Sequence, residues 1–85
     1  MTKIYHLYVL LCVDGSLYTG IAQDPQERLK QHLQGKGSRY VASRRPAKII
    51  YTEVVGSLSE ALKREAQVKS WNRSNKIKNL RLNLA

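Results

Sequence analysis

The chain begins with an apolar run in which polar and apolar positions do not alternate. Residues 5–13, YHLYVLLCV, are mostly apolar, β-branched or aromatic, which predicts a strand covered on both faces. Asp14-Gly15 is a hairpin signal, and Leu17 to Ala22 is predicted to return as a second strand. Lys48 to Val55 (KIIYTEVV) is predicted as a third strand because Ile, Tyr, Thr and Val are concentrated there.

The first helix is predicted from its end signals. Asp24 suits the N-cap, Pro25 suits the first helical position, and Glu27 completes a capping box. The helix is expected to run to about Gln34, where Gly35 supplies a left-handed stop. Residues 35–47 are then expected to form a basic loop, since the segment is rich in Gly, Ser and Arg.

A second pair of helices is predicted after the third strand. Ser57 and Glu60 form another capping box, which opens a helix to about Trp71. Residues 72–74 should bend the chain, and a last basic helix should place Ile77, Leu80 and Leu84 on one side. The order β-β-α-β-α-α predicts an α+β fold, a three-stranded antiparallel sheet flanked by helices, and the length of 85 residues predicts one domain, 1–85.

The charge of the chain indicates a polyanionic partner. Fifteen Lys and Arg against six Asp and Glu leave a net charge of +9. Repulsion among these charges destabilises so small a folded protein, and binding to phosphates would offset that repulsion. A membrane is not expected as the partner, because the longest apolar stretch, Leu7 to Val13, cannot span a bilayer. The N-terminal residues do not have the pattern of a signal peptide. Cys12 is the only cysteine and is expected to be a small buried hydrophobic residue in a reducing compartment, so we expect a cytoplasmic protein.

Glu65 is the least expected residue of the second helix. Leu58, Ala61, Leu62 and Val68 form the predicted inward stripe, and Glu65 falls inside it. A carboxylate facing a core needs a partner or a metal, because burying it alone is expensive. Spacing leaves both interpretations open and slightly favours a rim carboxylate bonded to one of the many basic residues.

Arg28 and His32 are one helical turn apart and share a face of the first helix, beside an apolar stripe of Leu29 and Leu33. Such a pair can grip phosphate, but it is more often the solvated side of a helix. Tyr8 and Tyr18 are most simply strand tyrosines with wet hydroxyls. No P-loop, dinucleotide fingerprint, zinc-ligand spacing or serine nucleophile elbow is present in the sequence.

Taken in order, these residues resemble the GIY-YIG nuclease superfamily, which includes the N-terminal nuclease domain of the excision-repair protein UvrC. His6-Leu7-Tyr8 stands for Gly-Ile-Tyr, and Tyr18-Thr19-Gly20 stands for Tyr-Ile-Gly. Arg28 to His32 resembles the family's Arg-x-x-x-His helix, and Glu65 matches its metal-binding glutamate. The chain is most similar to the small stand-alone bacterial branch. It departs from the pattern at His6, which replaces a glycine, and at Ile21, where UvrC-type domains carry a lysine.

The resemblance implies metal-assisted hydrolysis of phosphodiester bonds in nucleic acid, with DNA expected rather than RNA. Glu65 would hold one Mg²⁺ or Mn²⁺, and Arg28 would stabilise the charge that develops on the phosphate. Tyr18 or Tyr8 would position or deprotonate the attacking water, and His32 would support the phosphate or relay a proton. The expected phosphate-backbone contacts are Lys36, Arg39, Arg44, Arg45, Lys48 and Lys69. Tyr8, Tyr18, Arg28 and Glu65 should then converge on one surface cleft, with His32 at its edge.

If Tyr8 and Tyr18 serve one site, the length of the loop between the first two strands is constrained. A two-residue Asp14-Gly15 loop would send Tyr8 and Tyr18 to opposite faces of the sheet. A three-residue loop, Val13 to Gly15, puts both on one face, with Gly15 in the left-handed conformation. Tyr8 would then lie opposite Gly20 and Leu10 opposite Tyr18, and Gly20 would leave space beside Tyr8 for a phosphate or metal.

The alternative function is a non-catalytic nucleic-acid-binding module that keeps the fold and its basic face. Glu65 discriminates the two, because a pure binder gains nothing from a carboxylate placed among phosphates.

Both functions predict binding that depends strongly on salt and weakly on base sequence, because Lys and Arg contacts to phosphates release counterions. Replacing Arg44 and Arg45 by Ala should weaken binding about equally for unrelated nucleic-acid sequences. Titrations of labelled oligonucleotides at several salt concentrations measure this. An affinity that does not change with added salt contradicts the prediction.

Overall fold

The computed structural model describes residues 3–36 and 45–84. Within them lies a three-stranded antiparallel sheet of order β2-β1-β3 with three helices, so the predicted α+β fold is confirmed. The elements are β1 (Tyr5–Cys12), β2 (Leu17–Ala22), α1 (Pro25–Leu33), β3 (Pro46–Gly56), α2 (Leu58–Lys69) and α3 (Arg73–Asn79).

Helices cover both faces of the central strand β1. Leu7 and Val9 pack on one face with Val68 of α2, and Tyr8 and Leu10 pack on the other with Leu29 of α1. The four residues of β1 from Leu7 to Leu10 are at most 1% exposed, which explains why the strand shows no polar alternation. Ile77, Leu80 and Leu84 also reach the first cluster, as predicted.

The hairpin between β1 and β2 has the predicted odd loop. The Cys12 amide donates to the Ser16 carbonyl at 2.9 Å, and the Gly15 amide donates to the Cys12 carbonyl at 2.9 Å. Gly15 has φ +85°, the left-handed conformation that favours glycine. Tyr8 therefore lies opposite Gly20 and Leu10 opposite Tyr18, so that both tyrosines face the α1 side.

The space beside Gly20 is not left for a ligand, and that part of the prediction is wrong. A Cβ atom at Gly20 would lie 2.6 Å from the Tyr8 hydroxyl oxygen and 2.7 Å from Tyr8 Cζ. The phenol ring of Tyr8 therefore lies directly against the backbone of β2. Gly20 is needed because the tyrosine itself fills this volume.

The predicted helix ends are formed by the expected caps. The Asp24 carboxylate accepts from the Gln26 and Glu27 amides, the Ser57 hydroxyl accepts from the Glu60 amide, and Gly35 ends α1 with φ +78°. Several boundaries differ from the prediction. β1 ends at Cys12, α2 ends at Lys69 rather than Trp71, and α3 ends at Asn79, so Leu84 packs from beyond the helix. β3 runs over Pro46–Gly56 rather than from Lys48 to Val55, so it includes the last two residues of the segment expected to be a loop.

Part of the predicted inward stripe is exposed. Leu58 and Leu62 of α2 are 47% and 49% exposed, and Leu33 of α1 is 60% exposed. The buried residues of α2 are Ala61 and Val68, two helical turns apart. The helix therefore meets the sheet along the line of Ala61 and Val68, and the two leucines lie to one side of that line.

An ion pair fixes α2 to β3. Arg64 donates to both carboxylate oxygens of Glu53, each at 3.0 Å, and the Tyr51 hydroxyl donates to the same carboxylate at 2.6 Å. The guanidinium also lies 5.5 Å from the centroid of the Trp71 ring. Burial raises the pKa of Glu53, but the hydrogen bonds from Arg64 and Tyr51 outweigh it, so this pKa lies below its usual value.

We expect Glu53→Gln to lower the free energy of unfolding by about 1.5–3 kcal/mol, because it weakens charge-assisted hydrogen bonds to a half-buried guanidinium. The contribution of Glu53 is present above its unfolded pKa of about 4.3 and is lost as the pH falls through the lower folded pKa. Urea unfolding as a function of pH measures both effects. Glu27→Gln is the control, because Glu27 is exposed and its carboxylate makes no hydrogen bond or ion pair with another described residue. An equal acid dependence in Glu53→Gln and the wild type would contradict this account.

We expect Gly20→Ala to destabilise the protein by about 1–3 kcal/mol, because the added methyl group overlaps the Tyr8 ring. Tyr8→Leu removes that ring, so the double variant should lose less stability than the two single variants together. Urea unfolding of the four proteins measures the coupling. Strictly additive losses would show that the ring and the methyl group do not meet.

Candidate active site

Three aromatic rings form the floor of the candidate site. They come from three elements: Tyr8 from β1, Tyr18 from β2 and His32 from α1. The centroid of the Tyr8 ring lies 6.4 Å from that of Tyr18 and 6.4 Å from that of His32. Tyr18 and His32 meet edge to face at 5.6 Å, an arrangement favoured for aromatic pairs.

His32 is buried, not at the edge of a cleft, and this part of the prediction is wrong. Its side chain and that of Tyr8 are 3% and 1% exposed, and His32 Nε2 lies 3.2 Å from the Tyr8 hydroxyl. A buried polar group requires a partner, and each of these residues supplies one for the other. Burial and then the positive charge of Arg28 lower the pKa of His32, which favours the neutral imidazole.

The electrostatics of Tyr8 place two further predicted residues near it. Burial and the proximity of Tyr18 raise the pKa of Tyr8 to about 12, and the charge of Glu65 contributes to this rise. Arg28 opposes it, because a positive charge near the Tyr8 hydroxyl favours the phenolate. Side chains from β1, β2, α1 and α2 thus lie near enough to the Tyr8 hydroxyl to affect its pKa.

Arg28 is held by a neighbour that sequence reasoning missed. Its Nη1 donates to Gln31 Oε1 at 2.8 Å, and the guanidinium is partly buried. The three-residue spacing of Arg28 and Gln31 on α1 was the available signal. A side-chain amide at this distance limits the rotamers of the guanidinium, which orients it beside Tyr8.

Glu65 and Lys69 form the rim of the site beside β2. Lys69 Nζ lies 3.4 Å from Glu65 Oε2 and 5.9 Å from the centroid of the Tyr18 ring. The Glu65 side chain is 21% exposed and that of Lys69 is 49% exposed. Lys76 of α3 is a second residue not singled out from the sequence. Burial and then the charge of Lys69 lower its pKa, so the two ammonium groups are near each other.

Glu65 suits a hard divalent cation. The residues described contain no group of three or more His, Cys, Asp or Glu side chains that could hold a metal ion. Mg²⁺ is commonly bound through one or two carboxylates, with water and phosphate oxygens in its other positions. A single, partly exposed carboxylate with one long contact to a lysine fits that pattern, because a divalent ion can compete with the ammonium group.

The other predicted phosphate contacts are on the surface where they are described. Lys36, Arg45 and Lys48 are exposed, whereas Arg39 and Arg44 lie outside the described residues. His6, at the position of the motif's first glycine, has a buried Nδ1 atom with no hydrogen-bond partner among the described residues. None of the described helices is long and apolar enough to cross a membrane.

Comparison with known proteins places this geometry in a family. The family model of the GIY-YIG catalytic domain matches residues 4–78. A UPF0213 protein of Staphylococcus saprophyticus is 43% identical over 74 residues, which cover 87% of this chain and 90% of the relative. A UPF0213 protein of Staphylococcus aureus is 42% identical over the same length.

Two solved structures are similar in both fold and sequence. One is a solution NMR structure of an E. faecalis protein that is 42% identical in sequence and superposes with a TM-score of 0.66. The match covers 95% of this chain and 88% of that protein. The UPF0213 protein of Bacillus halodurans is 37% identical with a TM-score of 0.56, over 88% of this chain and 80% of that protein. With the family model spanning nearly all the sequence, the chain belongs to the GIY-YIG catalytic domain family.

Proposed function

We propose that this protein is a metal-dependent endonuclease that hydrolyses phosphodiester bonds, with DNA rather than RNA as its substrate. The observation that supports this most is the contact of Tyr8, Tyr18 and His32 with one another, together with Arg28 and Glu65, whose charges both act on the Tyr8 hydroxyl. These side chains come from four separate elements. Packing alone gives no reason to gather a guanidinium, a carboxylate and two phenols at one place.

Arg28 is the proposed phosphate ligand and stabilises the transition state. Gln31 holds its guanidinium beside Tyr8, so its orientation is set before substrate arrives. Preorganised donors stabilise developing charge without the cost of reorganising solvent. Lys69 and Lys76 add positive charge along the rim.

Glu65 is the proposed metal ligand, for Mg²⁺ or Mn²⁺. A bound divalent ion would supply Lewis acidity toward a phosphate oxygen and toward the attacking water. The side chain lies close enough to Tyr8 for its charge to affect the phenol. Glu65 therefore supplies a carboxylate for a cation beside Tyr8, within a surface that is otherwise mostly basic.

The two tyrosines have different proposed roles. Tyr8, with its pKa raised to about 12 by burial and by Tyr18, keeps its proton at neutral pH. Its hydroxyl holds the buried imidazole of His32 through the contact with Nε2, and it does not act as a base. Tyr18 is partly exposed, lies beside Lys69 and is the better placed to orient the attacking water.

We expect Glu65→Gln and Arg28→Ala each to reduce cleavage by about 100-fold or more, the loss typical when a group that stabilises transition-state charge is removed. A panel of labelled single-stranded, duplex and branched DNA substrates, assayed with Mg²⁺ and with Mn²⁺, measures this. Chelation of the metal should abolish cleavage by the wild type.

Matched controls are available on the same helices. Glu60→Gln on α2 and Lys30→Ala on α1 change exposed side chains outside the site and should keep cleavage near the wild-type rate. Cleavage that survives Glu65→Gln at ordinary metal concentrations would remove Glu65 as the metal ligand. Binding without cleavage on every substrate would support the non-catalytic binding module instead.

A further inference from the structure

A pocket with several polar and charged lining residues adjoins the candidate site at Arg28. Its volume is about 280 Å³, and it lies where β1 begins, β2 ends and α1 starts. The residues that give it chemical character are Tyr5, Gln23, Asp24, Glu27, Arg28 and Gln31. The pocket shares only Arg28 with the cluster around Tyr8.

The lining combines an aromatic ring with two side-chain amides. Gln23 Nε2 donates to the Tyr5 hydroxyl at 3.3 Å, and Gln31 Oε1 accepts from Arg28. These bonds use one end of each amide. The Gln23 carbonyl and the Gln31 amino group make no further hydrogen bond with the described residues, so the pocket offers both an acceptor and a donor. An aromatic face with amide donors and acceptors is the chemistry that recognises an unstacked base.

The carboxylates exclude a phosphate from the pocket. Glu27 is exposed, and its carboxylate makes no hydrogen bond or ion pair with another described residue. Asp24 Oδ1 already accepts from the Gln26 and Glu27 amides. Two acidic side chains repel a phosphate but accept from the exocyclic amino group of a base.

We propose that this pocket receives an unpaired nucleobase of the nucleic acid whose phosphate meets Arg28. The assignment rests on the proposed function, because it requires a nucleic acid at the site. Arg28 joins the two sites, so the base enters next to the bound phosphate. Tyr5 stacks on the base, and Gln23 and Gln31 bond to its edge.

The test compares two probes that differ only in their bases. One is a short fluorescein-labelled oligodeoxycytidylate, and the other is a backbone of equal length with abasic tetrahydrofuran residues. Binding is measured by fluorescence anisotropy in the presence of a chelator, so no cleavage is required. The wild type should prefer the probe with bases by about fivefold or more, since stacking of a base on an aromatic side chain supplies this much.

Tyr5→Leu and Gln31→Leu should bring the affinity ratio of the two probes close to one. Tyr5→Phe, which keeps the ring, and Gln26→Leu, an exposed amide of α1 outside the pocket, should keep the wild-type ratio. Both probes carry phosphates, so a disturbance of Arg28 alone changes both affinities and leaves the ratio intact. Far-ultraviolet circular dichroism checks that each variant is folded. If Tyr5→Leu does not fold, the affinity ratio of Gln31→Leu tests the proposal.

A wild-type ratio of one, or a ratio unchanged in the folded Tyr5→Leu and Gln31→Leu variants, would overturn the proposal. Its failure is distinct from failure of the proposed function. A protein that cleaves normally but shows no base dependence lacks the base pocket only. A protein that cleaves nothing but discriminates the probes through Tyr5 keeps the pocket and loses the nuclease assignment.

Discussion

The odd length of the loop between β1 and β2 decides which side chains can share a site. Side chains alternate between the faces of a strand, so one residue more or less in the loop would move Tyr18 away from Tyr8. Gly15 makes the three-residue loop possible because it adopts a left-handed backbone conformation. Once the two tyrosines share a face, α1 packs over them and brings His32 and Arg28. Glu65 and Lys69 approach from α2 beside β2.

The residues at the base of the candidate site are buried, and those at its rim are accessible to solvent. The floor is the hydrogen-bonded pair of Tyr8 and His32, both nearly inaccessible to solvent. A satisfied polar pair in a core is rigid, because breaking it leaves two buried groups without partners. The rim residues Arg28, Glu65 and Lys69 are only partly buried or exposed. A substrate can therefore reach the charged groups while the residues beneath them hold their positions.

The few acidic residues are divided between structural and site positions. Four of the six make hydrogen bonds or ion pairs that stabilise the fold. These are Asp14 in the hairpin turn, Asp24 and Glu60 at helix starts, and Glu53 in the ion pair with Arg64. Glu65 and Glu27 remain, one at the rim of the candidate active site and one in the adjoining pocket. In a chain of net charge +9, the two carboxylates without a partner in the helix caps, the hairpin turn or the pair with Arg64 therefore lie at the candidate site and beside it.

The sequence by itself determined the features that depend on neighbouring residues. The caps at Asp24 and Ser57 and the stop at Gly35 are satisfied within a few residues, so their signals predicted the element order. The local signal at Asp14-Gly15 left the loop length open, and the requirement that Tyr8 and Tyr18 share a site selected the three-residue loop that the register confirms. Only the tertiary structure decided what each helix face would meet. Leu58 and Leu62 match a core pattern but are exposed, because α2 approaches the sheet along the line of Ala61 and Val68.

The same limit applies to the candidate site. The resemblance to the GIY-YIG family grouped Tyr8, Tyr18, Arg28, His32 and Glu65 as one set, but it did not give the depth at which each residue lies. His32 is buried because α1 packs its face onto the sheet, and Gly20 is required because the Tyr8 ring lies against it. The hydrogen bond from Arg28 to Gln31 and the ion pair of Arg64 with Glu53 depend on side-chain orientation, which the sequence pattern does not give. Periodicity describes which residues share a face, whereas burial and partnership depend on what packs against that face.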